Sequence, residues 1–190
     1  MRILLILLLL TAVPVTALGG AWTQPRGQAW FKAAGLYQVA DEYYADRRAV
    51  LPDGNPVEPG ERRPYDDNGQ SSQFVLWLEG EYGLTDRLTF GVQSQWKDLS
   101  YEDDFSRSRS YGWGDTWVVG RYALLTGSQR VSLRSALKFP TGKFSTEVGK
   151  IPIGENQPDL DLGLQWGMSL GRHLSWLGVD GLYRIPVSYT

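Results

Sequence analysis

Apolar and polar residues alternate along this chain, and the alternation returns repeatedly with one face apolar. Leu160, Leu162, Leu164, Trp166 and Met168 interleave with Asp161, Gly163, Gln165 and Gly167. Val131, Leu133, Ser135, Leu137 and Phe139 interleave with Ser132, Arg134, Ala136 and Lys138. A period of two residues predicts β-strands with one greasy and one wet face. These runs reach about ten residues, the length that crosses a bilayer at a tilt.

The same reading predicts seven strands. The first, Gly27 to Val39, turns Ala29, Phe31, Ala33, Tyr37 and Val39 outward and Gln28, Lys32 and Gln38 inward. The second, Gln73 to Tyr82, puts Phe74, Leu76, Leu78, Gly80 and Tyr82 outward and Gln73, Trp77, Glu79 and Glu81 inward. The third, Arg87 to Lys97, has Leu88, Phe90, Val92 and Trp96 outward and Gln93, Gln95 and Lys97 inward. The fourth, Asp115 to Leu124, has Val118, Tyr122 and Leu124 outward and Asp115 and Arg121 inward. The fifth and sixth are the two runs above. The seventh, Leu174 to Arg184, has Leu177, Val179 and Tyr183 outward and Asp180 and Arg184 inward. A one-residue slip would turn every inward charge to the other face. In lipid, each misplaced Lys or Arg would cost about 2–4 kcal/mol at the midplane.

Connections alternate in length. Gly83 to Asp86, Leu125 to Gln129 and Leu170 to His173 are tight; Asp41 to Ser72, Asp98 to Gly114 and Pro140 to Pro158 are long and polar. Short turns at one end and long loops at the other are the outer-membrane pattern. The expected fold is all-β, an antiparallel transmembrane up-and-down β-barrel. A soluble β-sandwich would share the alternation but turn the apolar face to a core. Strand length, loop asymmetry and aromatics near strand ends (Trp96, Tyr82, Phe139, Tyr122) favour the barrel. Bacterial single-chain barrels have an even strand number, and lipid does not tolerate an unpaired edge. Ile185 to Thr190 do not read as an eighth strand. The expectation is therefore an incomplete barrel over residues 20–190, a fragment of a larger even-stranded one, with closure by oligomerisation as the alternative.

The N-terminus supplies an export route. Met1-Arg2, the apolar run Ile3 to Leu10 and the small residues around Val15-Thr16-Ala17 and Ala17-Leu18-Gly19 have the layout of a signal peptide over residues 1–19. The chain has no Cys, so neither a lipoprotein anchor nor disulfides are available to it. Its net charge of -2 is spread out, with no basic stripe for nucleic acid. Gly 22, Trp 8 and Tyr 10 suit tilted barrel strands with aromatic girdles.

The residues expected to line a lumen are Lys32, Trp77, Glu79, Glu81, Lys97, Asp115, Arg121, Arg134, Lys138, Asp159, Asp161, Asp180 and Arg184. They would form a mixed-charge wall that selects solutes, or else pair with one another and fill a small barrel. Trp30, Trp77 and Trp117 also read as inward, either as a track for aromatic solutes or as lumen packing. In the first long loop, Arg47, Arg48, Arg62 and Arg63 could meet lipopolysaccharide phosphates. Asp66-Asp67 and Asp103-Asp104 could offer oxygens to Ca²⁺, although neither pair has a ligand spacing. One His, His173, in a predicted short turn, argues against both a Ser–His hydrolase and a zinc site. No enzyme activity, cofactor or metal is expected.

Several stretches resemble outer-membrane barrels of the meta-pathway phenol-degradation type, a Gram-negative transporter group. Tyr82 to Gly91 resembles its strand-turn-strand, and Gly112-Trp113-Gly114-Asp115 its G-x-G-D. Lys138-Phe139-Pro140-Thr141-Gly142 resembles its K-x-P-T-G strand end, and Gly154 to Gly163 its Gly-rich, Asp-containing strand start. The resemblance runs from about Trp22 to Arg184 and implies a larger barrel whose lumen passes small, often hydrophobic or aromatic compounds. The expectation is thus a passive channel in the bacterial outer membrane. Its partners would be lipid, lipopolysaccharide, a small solute and the barrel-assembly machinery. The alternative is a filled structural barrel that binds partners through its long loops.

Overall fold

The computed structural model describes residues 8–10, 20–45, 49–50, 56–145, 147, 149–170 and 176–187. The strands are β1 (Leu8–Leu10), β2 (Ala29–Ala40), β3 (Glu42–Tyr44), β4 (Ala49–Val50), β5 (Pro56–Val57) and β6 (Arg62–Pro64), then β7 (Gln70–Gly83) and β8 (Leu88–Glu102). They continue with β9 (Arg107–Trp113), β10 (Thr116–Leu125), β11 (Gln129–Phe139), β12 (Asp159–Ser169) and β13 (Trp176–Pro186). The order β2-β7-β8-β10-β11-β12-β13 makes a curled, all-antiparallel half-barrel of seven strands. β9 continues the place of β10 along β8, because Trp96 to Glu102 pair with β9 while Leu88 to Gln93 pair with β10.

Polarity is inverted relative to a soluble sandwich. The convex face exposes Phe31, Val179 and Tyr183 at 77%, 62% and 71%. The concave face buries Glu81, Arg121, Ser132, Lys138, Asp159, Asp161 and Gln165. The expected in-and-out assignment holds on β7, β8, β10, β11, β12 and β13, because the cross-strand register keeps each polar row on one face.

Two long connections are more ordered than their polarity suggested. Within the expected loop Asp98 to Gly114, β8 runs on to Glu102 and β9 starts at Arg107, leaving a turn at Asp103 to Ser106. Polar residues on both faces hide this hairpin from a search for alternation. Cross-strand pairs hold it instead: Arg109 reaches Asp98 at 2.5 Å and Arg107 reaches Glu102 at 3.5 Å. The connection Asp41 to Ser72 contains the β3·β6 and β4·β5 ladders. Tyr65 stacks on Tyr43 at 5.1 Å and meets Tyr101 edge-on at 5.4 Å, which packs this arm against the β8–β9 hairpin. Of the acidic pairs considered for Ca²⁺, Asp103-Asp104 serves the hairpin turn: Asp104 accepts from Asn68 Nδ2 at 2.8 Å, and Asp103 accepts from the Ser106 amide at 2.6 Å.

The seventh strand starts at Trp176 and runs through Ile185 and Pro186. His173 and Leu174 lie outside the described residues, as does most of the expected signal segment; its Leu8–Leu10 pair antiparallel with Ala33 to Gly35 on the edge of β2. Six antiparallel steps separate β2 from β13, so these two strands run in the same direction.

Candidate functional site

The concave face is a stack of rows, each set by strand register. One row reads Lys32, Glu79, Gln93, Trp117, Lys138, Asp159. Lys32 Nζ is 3.8 Å from Glu79, which also accepts from Gln93 Nε2 at 2.7 Å. Lys138 Nζ lies 2.6 Å from Asp159 and contacts Glu155. Trp117 carries two cations over its ring, Lys138 Nζ at 5.8 Å and Arg184 Cζ at 5.0 Å. Such contacts hold a charged group over an apolar surface.

The next row reads Trp30, Glu81, Gly91, Val119, Ala136, Asp161, Arg184. Asp161 takes two hydrogen bonds from Arg184, at 2.9 and 3.4 Å. Arg134 Nη1 stands 4.0 Å from Asp161 and is buried with no hydrogen-bond partner among the described residues. Glu81 belongs to a different pairing. It meets Arg121 Nη1 at 2.9 Å, and both side chains are 7% exposed. Asp180, on β13, is exposed and borders a cavity with Lys32, Glu79, Arg121 and Arg134. A second cavity, about 410 Å³, is lined by Lys32, Trp77, Gln93, Gln95 and Trp117. Trp30, Trp77 and Trp117 therefore share the concave face, with Trp77 and Trp117 on one cavity and Trp30 on an adjoining one that shares Lys32, Glu79 and Gln93 with it.

Lys97 and Asp115 have a different employment from the rest of the predicted lining set. Both hold the connection between β11 and β12. Asp115 accepts from the amides of Gly142 at 3.0 Å and Glu155 at 2.9 Å. Lys97 Nζ donates to the carbonyl of Ile153 at 3.1 Å, and Ile153 is buried. Thr141 Oγ1 donates to the Gly114 carbonyl at 2.9 Å. A Cβ on Gly142 would stand 2.7 Å from the Gly154 Cα. Those two glycines let two backbone segments approach where no side chain fits. Gly112 to Asp115, Lys138 to Gly142 and Gly154 onward are far apart in sequence but converge here. They fold this connection inward at the long-connection end.

The opposite end is crossed by a segment to which the alternation assigned no role. Residues Ala21, Trp22, Thr23 and Gln24 are all buried against the concave face. Gln24 donates its amide to Thr89 Oγ1 at 2.7 Å and its side chain to Glu81 at 3.1 Å. Arg121 donates to the Trp22 carbonyl at 3.1 Å and to Gln165 at 2.9 Å, and Ser132 donates to the Ala21 carbonyl at 3.1 Å. The Trp22 ring meets Trp176 edge-on at 5.8 Å. It also occupies the space a Cβ would need on Gly167. The only sequence signal for this contact is the small residues Gly83 and Gly167 at inward strand positions, where polar side chains are the rule.

Among the described residues, no group of three or more His, Cys, Asp or Glu is placed to hold a metal ion. No protein-family model matches the chain, and comparison with curated proteins finds no relative.

Proposed function

We propose that this chain forms the wall of an outer-membrane β-barrel that passes small solutes by diffusion. The observation carrying this reading is the inversion of polarity: large apolar side chains on the exposed convex face, charged ones on the concave face. Water would penalise that arrangement, whereas lipid outside and solute inside require it. The chamber between Trp77 and Trp117 suits solutes with an apolar or aromatic part, and the mixed charges around it suit polar ends. Long connections at one end fit the lipopolysaccharide side, and delivery would need a signal peptide and the barrel-assembly machinery.

Closure has a directional requirement. β2 and β13 run the same way, so joining them directly would make a parallel pair. An all-antiparallel barrel needs an odd number of further strands between them, which would also remove both free edges from lipid.

A filled, structural barrel that works through its loops is the second reading. It is favoured by the mutual pairing of Arg121, Glu81 and Gln165 beneath the crossing N-terminal segment. Solute flux into vesicles separates the two. Reversing Lys32 to Glu or Asp180 to Lys, both exposed on the concave face, should change flux selectivity in a channel while the barrel still folds. Absence of flux from folded, inserted protein would sink the channel reading.

A further inference from the structure

We infer that residues 20–25 are a plug seated in the short-turn end of the barrel, and that this segment, rather than the inward-folded connection at the other end, is the movable closure. The inference uses the barrel reading above but does not depend on conduction.

The plug spans the concavity. At one side Thr23 Oγ1 donates to the Asp86 carbonyl at 3.1 Å, in the turn between β7 and β8. At the other, Trp22 reaches Trp176 at the start of β13. Between them the segment touches Thr89, Arg121 and Ser132, on β8, β10 and β11. Gly83 permits the crossing, since a Cβ there would stand 2.1 Å from the Pro25 carbonyl oxygen.

The two ends are fastened differently. The β11–β12 connection is tied at both its own ends to neighbouring strands. It is also clamped backbone-to-backbone through Gly142 and Gly154, with Asp115 holding two of its amides. The plug leads into β2 through the turn at Arg26 and Gly27. Within residues 20–24 it makes no β-ladder, and side-chain donors and acceptors from the wall hold it. Those wall groups can re-pair when it leaves, because Arg121 keeps Glu81 and Gln165. A segment whose departure strands no buried charge is suited to reversible movement.

The chain has no cysteine, so a single introduced thiol reports access cleanly. Ser132 is completely buried under Ala21. In Ser132→Cys protein, folded in detergent or vesicles, the thiol should react slowly with a bulky maleimide. Removing residues 20–24 should raise that rate at least tenfold, while Ser128→Cys in the exposed β10–β11 turn reacts equally in both backgrounds. If the deletion prevents folding, Trp22→Ala combined with Gln24→Ala should raise the Ser132→Cys rate several-fold. Equal rates in a folded protein with and without the segment would overturn the plug. Faster labelling with increased solute flux supports a plug on a channel. Faster labelling without flux supports the plug and removes the channel reading instead.

Discussion

Arg121 and Glu81 form an ion pair across the concavity, from strands that do not touch: β10 and β7 lie on opposite sides of β8. Their side chains approach to 2.9 Å and are each 7% exposed. Curvature of the sheet brings them together, and Gln24, Gln165 and the Trp22 carbonyl complete their hydrogen bonding. Removing one partner leaves the other charge buried and unpaired. Arg121→Met is expected to destabilise the fold by about 3–5 kcal/mol, and a double replacement of Arg121 and Glu81 by apolar residues by much less. Denaturant titration of the vesicle-folded protein measures both; equal losses would mean that the pair is not coupled.

The Asp115 clamp gives a second expectation. Asp115→Ala leaves the amides of Gly142 and Glu155 without their acceptor. One of these bonds is half-buried and the other exposed, so their loss costs about 0.5–1.5 kcal/mol, and the cost falls on one connection. Limited proteolysis should cut between Pro140 and Pro158 faster in this variant, with the strands intact. Gly154→Ala should act in the same direction, because its Cβ would stand 2.6 Å from Asp115 Oδ1.

Acid should loosen the tip of the β8–β9 hairpin. The Phe105 amide, followed by Ser106, holds the Asp103 carboxyl below the usual range, and Arg109 lowers that of Asp98 by hydrogen bonding. A depressed folded pKa contributes stability that is present above the unfolded value, about 3.9, and lost as pH falls through the folded one. Amide exchange at Phe105 and Ser106 should therefore be slow near neutrality and accelerate below about pH 4 beyond its intrinsic pH trend. Asp103→Asn should weaken that pH dependence. An unchanged profile in that variant would assign it to another group.

The convex face gives the test of the membrane reading. Leu164 is 51% exposed, so in a water-soluble protein Leu164→Arg would change stability little. Facing lipid near the midplane, it should cost about 2–4 kcal/mol of folding into vesicles. No loss on folding into vesicles would remove that face from the bilayer.

The strands were legible because alternation is a local property. Leu160 to Met168 state their register within nine residues, and the ladder with β11 only repeats it. The inward charges were legible for the same reason, Asp161 and Lys138 being fixed by their apolar neighbours. The hairpin at Arg107 to Trp113 escaped because polar residues sit on both its faces and cross-strand pairs support it instead.

Which inward groups meet was not legible. Period two places Arg121 and Glu81 on one face but carries no information about sheet curvature, and curvature decides whether side chains from strands that are not adjacent touch. Period two likewise assigns Asp115 to a wall, whereas a loop returning from Pro140 makes it a clamp. The alternation begins after Gly27, so Ala21 to Gln24 carry no period to read. Their place on the concave face depends on Gly83 and Gly167 leaving room and on Arg121 and Thr89 presenting partners. By itself the sequence determined which residues face which way, because that follows from backbone geometry one residue at a time. Only the tertiary structure decided what stands inside the curl, because that follows from contacts between segments that no local rule connects.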